Sequence, residues 1–311
     1  MKYRLGLKPV TTQPLVRLRD YYTADLPTVD SLKFPLGQPN LIKPQMYLNN
    51  VLGCCGIAGS FEEVRQANAL RGVTVNFTDQ TVVENYSAFG YVQGPEITGF
   101  NPDGSAIINP DAPQNPTDQG VDVHDLFQYR QNTGMLDADG GRHEIVGYAG
   151  LSLDPDEWLI ALSLFEMFAI GLQVPDYAED QFEDGQPWHL IPGRHSLVGG
   201  HYIPVFGAPD TNNFQPITWD KLIEAQRAFL STYATVAVVA LTREMFGPNG
   251  NGPAGVDFDA LAADLPRLGT GTVTAKAPLN PPTSEMGRAA GPYAHPEAFG
   301  PTDEEGVLGW V

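Results

Sequence analysis

Glycine and proline occur along the whole chain and limit the elements that it can form. The 311 residues include 33 glycines and 27 prolines, together about 19% of positions against an average of about 12%. Because both residue types disfavour helix interiors, a coiled coil or a helical bundle is excluded. Since 42% of residues are hydrophobic, the chain can still bury a sizeable core. Its length fits one elaborated domain or one domain with extended termini.

The charge of the chain argues against two classes of partner. The formal net charge is −19, and residues 121–200 carry 14 acidic residues against three arginines. Such a surface repels phosphate, so we expect neither nucleic acid nor membrane as a partner. Residues 1–20 are the exception, with five basic residues and one acidic residue. This segment is suited to dock on the acidic body of the chain or on a neighbouring subunit.

Targeting signals and disulfides are not expected. The sequence has no run of 18 apolar residues, and charged residues interrupt its N-terminus, where a signal peptide needs an unbroken apolar stretch. We therefore expect synthesis in the cytoplasm and no transmembrane segment. The two cysteines, Cys54 and Cys55, are adjacent, a spacing that rarely satisfies disulfide geometry, so a disulfide scaffold is excluded.

The distribution of apolar residues and of glycine and proline divides the chain into three parts. Residues 1–48 contain several prolines and little periodicity, which predicts an extended N-terminal arm; residues 49–246 form the predicted domain. Residues 247–311 include 20 glycines or prolines and are predicted to form a tail with one short helix at 258–265.

Within the domain, periodicity and capping residues predict helices followed mostly by strands, an α+β order. Residues 94–120, rich in Gly, Pro and Asn, are predicted to form a long loop. The predicted helices are 57–70, 79–89, 121–134, 154–165 and 221–233. The first of them is expected to begin at the two cysteines. The predicted strands are 143–151, 169–174, 201–207, 216–219 and 236–241.

Cys55 and His201 are the candidate reactive residues. A thiol in the first turn of a helix meets the positive end of the helix dipole and unpaired N–H groups, which favour the thiolate. A thiolate nucleophile needs an imidazole partner, and His201 follows two glycines at the head of an apolar strand, where there is room for a substrate. The alternative is that both cysteines are small buried apolar residues and that His201 is structural. Cys54 is assigned to that structural class.

Three segments around these residues carry a family pattern. They are residues 49–58 (NNVLGCCGIA), 200–207 (GHYIPVFG) and 217–220 (ITWD). In this order they resemble the nucleophile segment, the histidine strand and the Asn-Ser-Trp-Gly segment of the papain-like cysteine peptidases, in particular divergent relatives from tailed phages and some bacteria. The resemblance covers roughly residues 45–245, including the LxxYRxxTG-like segment Leu126–Gly134.

The resemblance implies a papain-like fold, with a helical part that carries the cysteine and an antiparallel β part that carries the histidine. It implies that Cys55 is the nucleophile, that His201 is the base, and that Asn49 stands in the place of the oxyanion-hole glutamine. The Asn that orients the histidine in the family is replaced by Ile217, which cannot hydrogen-bond and leaves a Cys–His dyad.

Two neighbours of Ile217 are candidates for the missing orienting residue. Strand alternation points Thr218 to the face opposite Ile217 and places Asp220 out of register. Asp220 is kept as the candidate third member of the site.

Metal binding is the weaker alternative. His189, His195 and His201 are six residues apart, without the spacing of a zinc motif. An acidic run lacks the alternating pattern of a calcium loop. It comprises Asp176, Glu179, Asp180, Glu183 and Asp184. We expect no metal and no cofactor.

Two functions therefore remain open. One is a thiol hydrolase that cleaves an amide or peptide bond of a peptide or protein substrate, and the resemblance implies that it is phage-associated. The other is a non-catalytic virion protein that retains the fold and contacts neighbouring virion subunits through its arm and tail. In either case the protein is made in a host cytoplasm.

Overall fold

The computed structural model describes residues 3–9, 16–23 and 25–242, all of which lie in one compact unit. The tail predicted for residues 247–311, with its helix at 258–265, lies outside the described residues. The helices are α1 Cys55–Ala69, α2 Asp79–Ser87, α3 Val123–Asn132, α4 Pro155–Phe165, α5 Ala178–Glu183 and α6 Arg227–Tyr233. Short 3-10 turns occur at Leu18–Tyr21 and Val29–Ser31.

The strands are mostly short, as the glycine and proline content predicts. They are β1 Leu36–Gly37, β2 Ile97–Phe100, β3 Ala106–Ile108, β4 Met135–Leu136, β5 Arg142–His143, β6 Gly147–Leu151, β7 Phe168–Pro175, β8 Leu197–Val205, β9 Gly207–Ala208, β10 Asn213–Phe214, β11 Ile217–Thr218, β12 Lys221–Leu222, β13 Ala225–Gln226 and β14 Ala234–Leu241.

Side-chain caps explain where three of the helices begin. The Thr78 side chain caps α2 in a capping box with Thr81. The carboxylate of Asp122 accepts from the first N–H groups of α3, and Asp154, followed by a proline in the first turn, does the same for α4. All three helices were predicted within a few residues of these bounds.

The central sheet has four antiparallel strands in the order β6-β14-β7-β8. The strand β8 is an edge of this sheet and pairs along its length with β7, so that His201 lies opposite Leu172 and Tyr202 opposite Gly171. Successive residues of a strand face opposite sides of the sheet. Accordingly, Ile203 belongs to one apolar cluster, and Tyr202 belongs to another, which includes α1 and α3. Together with the helices that precede it, this sheet confirms the predicted α+β class.

Three predicted elements differ from the structure. The strand predicted over 143–151 is two strands, β5 and β6, which pair with β4 and β14. The loop predicted over 94–120 contains a hairpin of β2 and β3, whose short strands show no clear alternation of exposed and buried residues. The helix predicted over 221–233 is only α6, because its first residues form β12 and β13, which pair with β11 and β10. Tertiary pairing therefore overrides local helix propensity at residues 221–226.

The N-terminal residues 3–9, called the cover segment below, cross the domain between β8 and the chain before α3. Leu7 donates its N–H to the carbonyl of Gly200 over 3.0 Å, and Lys8 donates to Val121 over 2.9 Å. In return Val121 donates to the carbonyl of Gly6 over 2.7 Å. In the described part of the chain, no helix is long and apolar enough to cross a membrane.

Candidate active site

Cys55 is the first residue of α1, as the sequence predicts. Its side chain is buried, with 1% of the residue exposed, and burial raises the pKa of the thiol to about 11. The backbone N–H groups of Tyr202, Gly6 and Gly56 act against this effect and lower the pKa. In this covered arrangement Cys55 is therefore a neutral thiol at physiological pH, already surrounded by donors that would stabilise a thiolate.

Cys54 precedes the helix and is fully buried. Its Sγ donates to the carbonyl oxygen of Tyr47 over 3.3 Å, and burial raises its pKa well above the ordinary value. These contacts fit the structural role expected for it.

His201 lies on β8 and is also buried, with 1% exposed. Its Nε2 is 2.8 Å from Oγ1 of Thr218, and its ring stacks on Trp219 with centroids 5.1 Å apart. Its Nδ1 is buried and has no hydrogen-bond partner in the part of the chain that the structure describes. Burial lowers the pKa of His201 to about 3, so the imidazole is neutral. One ring nitrogen is thus held while the other stays available.

The strand β8, which carries His201, packs against α1. Tyr202, the residue directly after His201, belongs to the apolar cluster that contains Cys55, and its backbone N–H lowers the pKa of the thiol. The ring of His201 contacts Thr218 and Trp219, and among the described residues no hydrogen bond joins His201 to Cys55.

The hydrogen-bond partner of His201 is Thr218, whereas Ile217 and Asp220 make no hydrogen bond to the ring. Ile217 is buried in a separate small apolar cluster with Met167 and Phe206. Asp220 is exposed in the two-residue connection between β11 and β12, and the hydrogen bond at His201 Nε2 goes to the threonine. The hydroxyl of Thr218 thus makes the contact for which Asp220 was the candidate from the sequence.

Asn49 is buried beside the cover segment. Its side-chain Nδ2 donates to the carbonyl oxygens of Arg4 and Leu52, each over 3.2 Å, and its own carbonyl accepts from the Arg4 N–H over 3.0 Å. The amide expected to bind a substrate oxygen is therefore occupied by a carbonyl of the same chain.

The cover segment passes over the candidate nucleophile at Gly6. A Cβ on Gly6 would stand 1.7 Å from the carbonyl oxygen of Gly53, and one on Gly120 would stand 2.1 Å from the carbonyl oxygen of Gly6. Gly120 has a φ of +73°, a conformation that favours glycine. These close approaches leave Cys55 inaccessible, a relationship that no local sequence signal indicated.

Asp118 holds the loop that precedes Cys55. Its carboxylate accepts from the N–H of Gly53 at 2.9 and 3.1 Å and from the hydroxyl of Tyr86 at 2.8 Å. The same hydroxyl oxygen accepts from the N–H of Gly120 over 2.7 Å. This network fixes Gly53 and Gly120, the two residues against which Gly6 lies. The sequence did not indicate it, because Asp118 lies in a loop without periodicity.

The three histidines considered for zinc do not converge. His189 contacts Gln181, and His195 contacts the Ile191 carbonyl at 3.0 Å and Asp176 at 3.5 Å. Among the described residues, no group of three His, Cys, Asp or Glu side chains is arranged to hold a metal ion.

Comparisons with known proteins identify the fold. No protein-family model and no curated protein matches the chain. Among solved structures, xylellain, a cysteine protease from Xylella fastidiosa, matches with a TM-score of 0.54 at 13% identity, over 78% of this chain and 97% of that one. A procathepsin B from Trypanosoma congolense matches with a TM-score of 0.48 at 9% identity, over 78% of this chain and 87% of that one.

The fold of this chain is therefore the papain-like fold of the cysteine proteases to which it is similar. A helix that begins at Cys55 precedes an antiparallel sheet. The resemblance based on residues 49–58, 200–207 and 217–220 is thereby confirmed for the fold.

Proposed function

We propose that this protein is a thiol hydrolase that cleaves amide bonds in peptide or protein substrates through Cys55 and His201. The papain-like fold suggests a cysteine peptidase-like hydrolase. What supports the assignment most directly is His201: Thr218 holds its Nε2, and its Nδ1 has no partner in the described chain. A base that is oriented through one nitrogen and free at the other is suited to accept a proton from a thiol.

The proposed reaction has four steps, namely proton transfer, nucleophilic attack, departure of the amine and hydrolysis of the thioester. His201 takes the thiol proton of Cys55, and the thiolate attacks the carbonyl carbon of the substrate. The C–N bond then breaks as the imidazolium gives its proton to the leaving amine, which leaves a thioester on Cys55. Water, deprotonated by the same imidazole, hydrolyses the thioester, which releases the acid and restores the thiol. The N–H of Cys55 and the side-chain amide of Asn49 are the proposed donors to the oxyanion.

The cover segment supports a peptide as the substrate. An extended stretch of chain already lies in the cleft, where Gly200 and Val121 bind its backbone and Asn49 binds its Arg4 carbonyl. A substrate has to displace this segment before it reaches Cys55, because the thiol is 1% exposed. The described arrangement is therefore a covered state of the enzyme.

One observation favours a second candidate, a non-catalytic protein that keeps the fold. Burial raises the pKa of Cys55 to about 11 and lowers that of His201 to about 3. If the cover segment never leaves, these groups stay neutral and the site is inert. Contact with neighbouring subunits, including the virion subunits suggested by the resemblance, would then be the function.

Peptide cleavage by an uncovered variant distinguishes the two candidates. In Gly6→Ala the added Cβ would stand 1.7 Å from the carbonyl oxygen of Gly53. The cover segment should therefore be displaced from its position over Cys55. A peptide library from tryptic digestion of casein is incubated with Gly6→Ala and with the double variant Gly6→Ala/Cys55→Ala, and new termini are counted by mass spectrometry. New termini that require Cys55 support the hydrolase, whereas equal counts for the two proteins overturn it.

A further inference from the structure

A buried ion pair joins α1, α3 and β8 behind the candidate active site. Arg130 Nη2 lies 2.7 Å from Glu63 Oε2, and the two side chains are 0% and 3% exposed. The hydroxyl of Tyr202 donates to Glu63 Oε1 over 2.5 Å, and Arg130 Nη1 donates to the same hydroxyl over 3.5 Å. The cation also lies 4.8 Å from the centre of the Phe127 ring.

Stability alone is a weak explanation for such a cluster. Moving both charges out of water is costly, and well-packed apolar residues of similar volume often replace a buried ion pair without loss of stability. What an ion pair supplies and apolar residues do not is directionality, because a carboxylate accepts hydrogen bonds only along defined directions. Glu63 accepts the Tyr202 hydroxyl at one oxygen and faces Arg130 with the other, so the position of the tyrosine is defined.

Tyr202 lies along α1 over successive turns. Its ring lies against Gly59 and its hydroxyl reaches Glu63, while at the start of the helix its backbone N–H lowers the pKa of the Cys55 thiol. Residues 55, 59 and 63 are spaced by four and therefore share one face of the helix. One residue of β8 is thus laid along the helix face that begins with the nucleophile.

The close approach depends on the glycine. A Cβ on Gly59 would stand 2.6 Å from Cδ1 of the Tyr202 ring. Glycine is disfavoured within helices relative to alanine, so its presence at this position comes with a local cost to α1. The absence of a side chain allows β8 to approach the start of α1 more closely than any other residue would permit.

From these contacts we infer that Tyr202 is a positioning residue, whose hydroxyl is fixed by the Glu63–Arg130 pair so that β8 holds His201 in reach of Cys55. The inference rests on the proposed function. The catalytic pair lies on two different elements, and a shift of about 1 Å between reacting groups can reduce a rate by about 100-fold. Because His201 precedes Tyr202 directly, movement of the tyrosine along α1 moves the base relative to the thiol.

The test is the pH dependence of Cys55 alkylation by iodoacetamide, measured by peptide mass spectrometry in the Gly6→Ala background. Tyr202→Phe removes only the hydroxyl. We expect the labelling rate at pH 6 to fall at least 10-fold and the midpoint of the pH profile to move up towards the free-thiol value of about 8.5. Tyr148→Phe is the matched control, since this buried tyrosine contacts His124 instead, and its profile should not move.

A second variant separates positioning from stability. Gly59→Ala raises the helix propensity of α1 while its Cβ displaces the Tyr202 ring, and we expect the same upward shift of the profile. If both variants retain the parental profile, the inference is overturned and the cluster is structural. If the Gly6→Ala parent shows no dependence on His201, the proposed function fails and the inference fails with it. An unchanged profile in a His201-dependent parent overturns the inference alone.

Discussion

Gly6 lies so close to Gly53 that a Cβ on Gly6 would stand 1.7 Å from the Gly53 carbonyl oxygen. This contact places the cover segment over the residue that starts α1 two positions later. The candidate nucleophile, its candidate base and its candidate amide donor are all buried, and the cover segment lies against the loop before Cys55 and binds the side chain of Asn49. Access to the site then depends on how firmly residues 3–9 are held.

Gly6→Ala should expose Cys55. The added methyl overlaps the Gly53 carbonyl, so the cover segment is no longer seated. An overpacked contact of this kind costs about 1–3 kcal/mol, and we expect iodoacetamide labelling of Cys55 at pH 7 to accelerate by about 10-fold or more. The control is Gly99→Ala, where the nearest atom to an added Cβ is 3.8 Å away. Equal labelling rates in the two variants would show that the segment does not restrict access.

Thr218→Ala should impair the base. The substitution leaves Nε2 of the buried His201 without the hydroxyl partner at 2.8 Å. An unsatisfied buried polar group costs about 1–3 kcal/mol. We therefore expect the rate of Cys55 alkylation by iodoacetamide at pH 6, measured in the Gly6→Ala background, to fall by roughly 10- to 100-fold. Thr218→Ser keeps the hydroxyl and should restore most of the rate. Asp220→Ala changes an exposed residue, and a loss as large as that of Thr218→Ala would assign the orienting role to the aspartate instead.

The stability of the protein should depend on pH through His201. Burial lowers the pKa of this group to about 3 in the folded state, whereas an unfolded histidine has a pKa of about 6.5. The unfolded chain therefore binds the extra proton as the pH falls below about 6.5. The free energy of unfolding therefore reaches its full value above that pH. It falls by about 1.4 kcal/mol per pH unit as the pH decreases towards 3.

The measurement is the free energy of unfolding in urea at pH 6.5 and pH 5.5, compared with that of His201→Gln, which cannot titrate. The native protein should lose about 1 kcal/mol more than the variant over this interval. A slope equal in both proteins would mean that His201 binds its proton equally in the folded and unfolded states, so that burial does not lower its pKa.

Asp118→Ala should destabilise the loop that precedes Cys55. It removes the acceptor for the Gly53 N–H and for the Tyr86 hydroxyl at once. We expect a loss of about 2–3 kcal/mol in the free energy of unfolding, with a smaller loss for Asp118→Asn, which retains one acceptor oxygen. Asp103→Ala, an exposed carboxylate with local contacts only, serves as the control. Similar losses for residues 103 and 118 would contradict a specific role for the network.

Much of the fold could be predicted because its signals are local. Thr78, Asp122 and Asp154 mark helix starts, and the apolar runs that became β7, β8 and β14 are long enough to be recognised. The positions of Cys55 at a helix start and of His201 on a strand were predicted for the same reason.

What the sequence could not predict depends on contacts between distant residues. Strand alternation placed Thr218 opposite Ile217, but whether that face meets His201 depends on how the β11–β12 hairpin, whose turn includes Trp219 at a φ of +50°, lies against β8. The contact of Gly6 with Gly53 joins residues 47 positions apart and has no periodic signature. Glu63, Arg130 and Tyr202 likewise come from three elements, and each alone is typical of a polar residue on a helix or a strand.

The pH profile of iodoacetamide labelling at Cys55, in Gly6→Ala and in Gly6→Ala/His201→Ala, tests the central claim most directly. A free thiol titrates near about 8.5, and one paired with an imidazole titrates well below that value. We predict fast labelling of the single variant at pH 6 and its collapse in the double variant. Slow labelling at pH 6 in both proteins, with the same midpoint at or above that of a free thiol, would contradict a working Cys55–His201 pair.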